Sequence, residues 1–126
     1  SMIDEFDYTW HQCKELQRIR HPQYAVYLIS KNGCNIGYLT TRKTEIITLQ
    51  SLYVIKEYQH QGIGKHAFDF VIKYCRDNKK NSFICHCVPE NHNARVFYEK
   101  MGGKIIGEDV DNVESWMNSV IYQFDF

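Results

Sequence analysis

The chain lacks most of the features that would tie it to a specialised role. It has no excess of either charge: Lys plus Arg and Asp plus Glu balance at 15 each, for a formal net charge of +0. A neutral chain presents no electrostatic footprint for nucleic acid or for an anionic membrane. No apolar run approaches the ~20 residues that a bilayer-crossing helix needs. The N-terminus is acidic and aromatic, not basic then apolar, so no signal peptide is expected. With 2 prolines and 7 glycines, proline-rich and low-complexity classes are excluded. The cysteines, Cys13, Cys34, Cys75, Cys85 and Cys87, are odd in number and lack paired spacing. They predict reduced, buried thiols in a cytoplasmic protein and not a disulfide framework. What remains is an ordinary globular composition over 126 residues, which suits one domain with one core. Ser1-Met2 reads as a cloning remnant, and residues 1–126 are expected to form a single domain.

Periodicity then orders the chain. Ile3, Phe6, Trp10, Cys13, Leu16 and Ile19 recur every three or four residues and predict a helix over about 3–20, closed by His21-Pro22. Tyr24 to Ser30 and Cys34 to Thr41 predict strands joined by an Asn32-Gly33 hairpin turn. Arg42-Lys43-Thr44 is a polar turn, and Glu45 to Val54 a third strand. Ile63, Ala67, Val71 and Cys75 stripe a helix that runs to about Asn78, with Phe68 and Ile72 beside them. Phe83 to Val88 has apolar residues on both faces and predicts a central strand. Asn93 to Met101 predicts a helix that buries Ala94, Phe97, Tyr98 and Met101 and stops at Gly102-Gly103. Lys104 to Ile106 and Ser119 to Phe126 are the last strands, around an acidic loop from about Gly107 to Ser115. The order α-β-β-β-α-β-α-β-β predicts an α+β fold with a mixed central sheet: antiparallel hairpins first, β-α-β crossovers in the middle.

The most informative segment is Gln59-His60-Gln61-Gly62-Ile63-Gly64-Lys65, between a strand and a helix. Glycines let other atoms approach the backbone, and a helix start carries N–H groups without intrahelical partners. Together they suit an anion, above all a phosphate. Gly62-Ile63-Gly64-Lys65-His66-Ala67 fits the dinucleotide pattern GxGxxA, with Glu90 downstream where a ribose-binding acid would be sought. That motif, however, follows its strand almost directly, usually in the first β-α unit. Here three expected strands precede the loop, and residues 55–61 separate Val54 from Gly62. No GxxxxGK[ST] loop occurs either.

A second pattern uses more of the chain. Gln59-x-x-Gly62-x-Gly64 has the form Q/R-x-x-G-x-G/A and follows Leu52-Tyr53-Val54. About thirty residues later comes Asn91-x-x-Ala94-x-x-Phe97-Tyr98-Glu99-Lys100-Met101-Gly102. This pair, in this order, resembles the GNAT superfamily of acyl-CoA-dependent N-acetyltransferases over about residues 24–126. The resemblance implies acetyl-CoA as co-substrate, with its pyrophosphate on the backbone amides of His60, Gln61, Gly62, Ile63, Gly64 and Lys65, next to Gln59. On that view Gly62 and Gly64 are glycines because a Cβ would hold the phosphate away. Leu52, Tyr53 and Val54 would line the pantetheine arm through their backbone, with side chains in the core or the wall. Asn91, with Asn93, would contact the cofactor; Asn91 suits a helix N-cap equally well. Tyr98 would protonate the departing thiolate, for which a phenol titrating near ~10 suits a thiol titrating near ~8.5.

The amine must lose a proton before it attacks. Relatives often carry a glutamate on the strand before the loop, at positions that are Thr48 and Gln50 here, and neither is a base. A water held by Gln50 or Thr48 is the first expectation, then His86, then Glu45, which has the wrong strand parity unless a bulge intervenes. Cys85-His86-Cys87 does not predict a metal site, because alternation sends His86 to the face opposite both cysteines. Only 23 residues precede Tyr24, room for one helix but not for a first strand and two helices. The acceptor site is thus expected to be open or completed in a homodimer; Phe6, Tyr8 and Trp10 are expected to pack onto the sheet. The resemblance implies a small-molecule or peptide amine as acceptor, and no nucleic acid, membrane or metal is expected to take part. A GNAT fold that binds acyl-CoA as a sensor or interaction module, with little catalysis, is the alternative.

Overall fold

In the computed structural model, the described residues are 8–13, 22–59, 61–110 and 118–126. Among them seven strands form one sheet, in the spatial order β1-β2-β3-β4-β5-β7-β6. The strands are β1 (Tyr8–Gln12), β2 (Tyr24–Lys31), β3 (Cys34–Lys43), β4 (Ile47–Val54), β5 (Ser82–Cys87), β6 (Lys104–Asp109) and β7 (Ser119–Asp125). A 3-10 turn (Lys56–Tyr58) and helix α1 (Ile63–Asp77) follow β4, and helix α2 (His92–Lys100) follows β5. The β2–β3 turn places Asn32 at φ 52 and Gly33 at φ 82, the paired positive values that a tight hairpin with right-handed strand twist requires. All strand pairs are antiparallel except β4–β5, which is parallel. The expected α+β class and mixed sheet are what the chain forms.

Three expectations are corrected. Tyr8–Gln12 is a strand paired to β2 and not part of a helix; the remainder of the helix expected over 3–20 lies outside the described residues. Its apolar spacing suited a helix, but Tyr8, Thr9 and Trp10 are good strand formers, and β2 presents an edge whose backbone groups need partners. A first strand is therefore present. Glu45 is an exposed turn residue, because β4 begins at Ile47. Strand β6 continues to Asp109, so the first residues of the expected acidic loop pair with β7: Glu108 with Val120 and Asp109 with Ser119.

Alternation assigns the two faces of the sheet. Leu39, Ile47, Leu49, Phe83, Cys85, Cys87, Val120, Tyr122 and Phe124 pack with Ala67, Phe68, Val71 and Cys75 of α1 in one buried cluster. Phe68 is its hub, with ring centroids 5.5 Å from Phe83, 5.4 Å from Phe97 and 4.9 Å from Phe124, each close to edge-on. Ala94, Phe97, Tyr98 and Met101 of α2 join the same cluster as half-buried residues, as their stripe predicted. Both helices thus cover one face, called here the helix face. Trp10 belongs to the same side, stacked on Phe70 of α1 at 4.5 Å. The indole therefore packs onto the helix from within the sheet, and it also joins the cluster of Ile29, Ile36 and Ile63.

Candidate active site

Strand β4 is irregular at its middle. Against β3, Thr40 pairs with Ser51 but Thr41 pairs with Leu49, which leaves Gln50 as the extra residue of a bulge. Before it, Ile47 and Leu49 are buried; after it, Leu52 and Val54 contact the cores. The alternation has slipped by one residue, as a bulge requires. The same place ends the pairing with β5, which consists of Thr48 with Ile84 and Leu49 with Cys85. From Ser51 to Val54, β4 stays paired to β3 but has no partner in β5, and Gln50 pairs with neither strand. Backbone N–H and C=O groups in the middle of a sheet ordinarily pair, so this cleft is a place for an extended ligand to bond main chain.

The glycine loop stands at the open end of the cleft. The Gln59 side chain donates from Nε2 to the Val54 carbonyl at 2.8 Å, and Gln61 donates from Nε2 to the Glu57 carbonyl at 3.1 Å. These bonds tie the loop back to the strand and the 3-10 turn. The Ile63 side chain is buried with Ile29 and Ile36. Gly62 is the N-cap of α1 at φ +82, no side chain caps the helix, and the His66 N–H bonds to the Gly62 carbonyl at 3.2 Å. The N–H groups of Ile63, Gly64 and Lys65 precede that first helical bond and sit at the positive end of the helix dipole. Lys65 is exposed beside them, and His60 lies outside the described residues.

Each of the two glycines has a reason of its own within the fold. Gly62 needs its conformation, since nothing lies within 4 Å of a Cβ built there. Gly64 needs its smallness, since a Cβ would meet the Phe97 ring at 2.7 Å. It lets α1 and α2 approach, and so connects the loop to the helix that carries Tyr98.

Tyr98 is enclosed by Phe68, Phe97, Tyr122 and Phe124. Burial first, then the neighbouring Cys85 and Cys87 thiols, push its phenol above the ordinary range. The phenol keeps its proton at neutral pH and is a donor there. It faces β5, one wall of the cleft. Asn91 acts as a helix cap: its side-chain oxygen accepts from the Ala94 N–H at 3.2 Å. Asn93 is exposed in the first turn of α2.

On the sheet face away from the helices, the parallel register points Gln50 toward the level of His86, but the strands have separated there. Gln50 and His86 are both exposed, and Thr48 is half-buried. The Nδ1 of His86 lies 3.0 Å from Oγ of Ser119. Ser119 was not singled out by the sequence, because its place depends on how β5 and β7 register. Tyr53 is 50% exposed and stacks on Tyr38 of β3 at 5.7 Å. Its side chain is thus surface wall and not core. Glu45 does not join this group: it precedes β4 at the end far from the glycine loop. Cys75, Cys85 and Cys87 are buried, Cys13 is half-buried and Cys34 is exposed. Among the described residues no group of three or more His, Cys, Asp or Glu could hold a metal ion, and no helix is long and apolar enough to cross a membrane.

Similar proteins agree with this geometry. The acetyltransferase (GNAT) family model matches residues 2–103, which extends the resemblance toward the N-terminus and includes β1. An N-acetyltransferase encoded in the pepI 3′ region of Lactobacillus delbrueckii subsp. lactis is 27% identical over 93 residues. That match takes in 67% of this chain, which spans about half (54%) of that relative. A GNAT family acetyltransferase from Elizabethkingia anophelis with acetyl-CoA bound superposes with a TM-score of 0.80 at 15% identity, covering 95% of this chain and 99% of the other. Naa50 of Arabidopsis thaliana, in complex with the bisubstrate analogue CoA-Ac-MVNAL, gives 0.74 at 18% identity over 95% and 99%. The ribosomal-protein-S18-alanine N-acetyltransferase of Escherichia coli gives 0.76 at 14% identity over 94% and 93%. These structural likenesses establish the shared fold, and the family match over most of the sequence establishes the kinship: the chain belongs to the GNAT acetyltransferase family.

Proposed function

We propose that the chain transfers an acetyl group from acetyl-CoA to a primary amine of a small molecule or peptide, by direct attack. The observation that carries this reading is the interrupted ladder between β4 and β5, with the glycine loop at its mouth and Tyr98 beside its β5 wall. The backbone amides from His60 to Lys65 would hold the pyrophosphate, with Gln59 and Ile63 anchoring the loop. The unpaired backbone of Leu52, Tyr53 and Val54 would take the amide-bearing arm. Asn91 and Asn93, at the start of α2, would contact the cofactor. Structural relatives bind acetyl-CoA or a CoA-peptide analogue on this fold, which supports the assignment of the ligand.

Acetyl-CoA, when bound, supplies an acetyl group already activated as a thioester. The amine nitrogen bonds to the acetyl carbon and the carbon–sulfur bond breaks. Tyr98 holds a proton at Oη and gives it to the departing sulfur. His86, exposed at the level where the strands part, takes the amine proton at a ring nitrogen; solvent then returns both groups to their starting states. Free histidine titrates near ~6.5, within reach of neutral operation. We rank His86 ahead of a water held by Gln50 or Thr48, because its ring already has a fixed partner in Ser119. Tyr38 and Tyr53 form the wall on which the acceptor's body would lie.

The test is thiol release from acetyl-CoA over a panel of amines, polyamines, aminoglycosides and peptides. The wild type is expected to turn over at least one class. Tyr98→Phe should cut kcat by about 10²–10⁴-fold while calorimetry shows CoA bound as before. CoA binding with no transfer to any amine would leave the fold as a binding module, and unchanged turnover in Tyr98→Phe would remove Tyr98 from the mechanism.

A further inference from the structure

We propose that Ser119 is a positioning residue for His86; this rests on the reading of His86 as the base. His86 has two ring nitrogens, and only the one without a proton can accept from the amine. Nδ1 is 3.0 Å from the Ser119 hydroxyl. Ser119 sits at the start of β7, two residues from Ile121, which pairs directly with His86. The bond therefore runs diagonally between adjacent strands on one face, where both side chains point the same way. Ser119 is 9% exposed, so its hydroxyl is shielded by the sheet while the His86 ring reaches out.

A buried hydroxyl held by two strands can fix the ring's rotation, and it can accept from Nδ1–H or donate to a bare Nδ1. When Nδ1–H donates to Oγ, Nε2 carries the lone pair and can take the amine proton. After transfer the ring carries a proton on each nitrogen, and the same oxygen still accepts from Nδ1–H. The bond thus serves both protonation states without moving, which is what a group that orients a catalytic base has to do. Among the described residues on the neighbouring strands, little competes for the ring. Thr48 and Gln50 of β4 and Ile121 and Gln123 of β7 do not ionise, while Asp109 of β6 stands in register with Ser119, one strand further away. Cys85 and Cys87 flank His86 in sequence but point to the helix face.

The experiment pairs ring-nitrogen NMR of His86 with kinetics. In the wild type at alkaline pH the neutral ring is expected to carry its proton on Nδ1. Ser119→Ala should shift it to the Nε2–H form that free histidine favours, and Ser119→Thr should restore it. Turnover should follow: about a tenfold loss of kcat in Ser119→Ala, recovered in Ser119→Thr, with the KM for acetyl-CoA unchanged. An Nε2–H ring in the wild type, or a tautomer indifferent to Ser119→Ala, overturns the proposal. Failure of the underlying reading looks different: His86→Ala would keep full turnover, which removes the base and with it any role for its positioner.

Discussion

The two faces of this sheet are built on different principles. The helix face is dry, aromatic and set by packing: Phe68 touches strands and α2 at once, and Gly64 is small because Phe97 is against it. The far face near the cleft is more polar and more open, and a hydrogen bond between side chains, His86 to Ser119, is a fixed contact there among the described residues. On the proposed reading, the cofactor half of the reaction belongs to the rigid face, and the acceptor half to one that can change residue by residue without disturbing the core. A family that keeps one donor and varies its acceptors has a physical reason to be built this way, since surface substitutions cost little stability and core substitutions cost much.

If that contrast is right, the largest effects come from breaking the helix face. Phe68→Ala removes the ring that joins α1, α2, β5 and β7, and should cost about 3–5 kcal/mol. Thermal unfolding should fall by roughly 10 °C or more, and CoA binding should weaken with it. An unchanged melting temperature would mean that the faces are not divided as described.

Gly64→Ala is the next step down. Its Cβ must displace the Phe97 ring, the kind of overpacking that costs about 1–3 kcal/mol. Because the clash is with one side chain, Gly64→Ala combined with Phe97→Leu should recover part of the loss, which a double-mutant cycle would read as coupling. Simple additivity would show instead that glycine at 64 serves the ligand and not the packing between helices.

The same division decides what the sequence disclosed. The loop, α1, α2 and the cap at Asn91 were legible because each rests on contacts between residues close in the chain: a glycine before a helix, an apolar stripe, an Asn three residues before the N–H it binds. Trp10 was misread because its spacing from Phe6 and Cys13 suited a helix, while its strand is fixed by an edge of β2 some twenty residues away. Ser119 carried no signal at all, since only the β5–β7 register brings it to His86. The bulge at Gln50 was equally hidden, and it decides where the cleft opens. Local chemistry is written in spacing; the acceptor half depends on register, which no spacing states.

A smaller effect is expected on the far face. Tyr53→Ala removes half of an exposed cross-strand pair, worth about 0.2–1 kcal/mol to the fold. The melting temperature should barely move. If the acceptor lies on Tyr38 and Tyr53, its KM should rise about fivefold, the value of one aromatic contact, while the KM for acetyl-CoA stays the same. An equal rise in both would place Tyr53 on the cofactor side and blur the division.

The smallest effect separates the faces by pH alone. Burial pushes the Cys75 thiol up to about 11 and the Cys85 thiol up to about 12, the latter with a lesser contribution from Cys87. A thiol raised in the folded state stays protonated there while the unfolded chain begins to ionise near ~8.5. The unfolded state then binds fewer protons, so stability falls as pH rises. Both thiols contribute fully below that range, and their contribution is lost as pH climbs through 11 and 12. At pH 7 nothing should be visible. Between pH 8 and 11 the melting temperature of the wild type should decline faster than that of a Cys75→Ala, Cys85→Ala variant, so the gap between them narrows. A constant gap for the buried pair would mean that water reaches the helix face, and the rigid half would lose the dryness on which the Tyr98 proton depends.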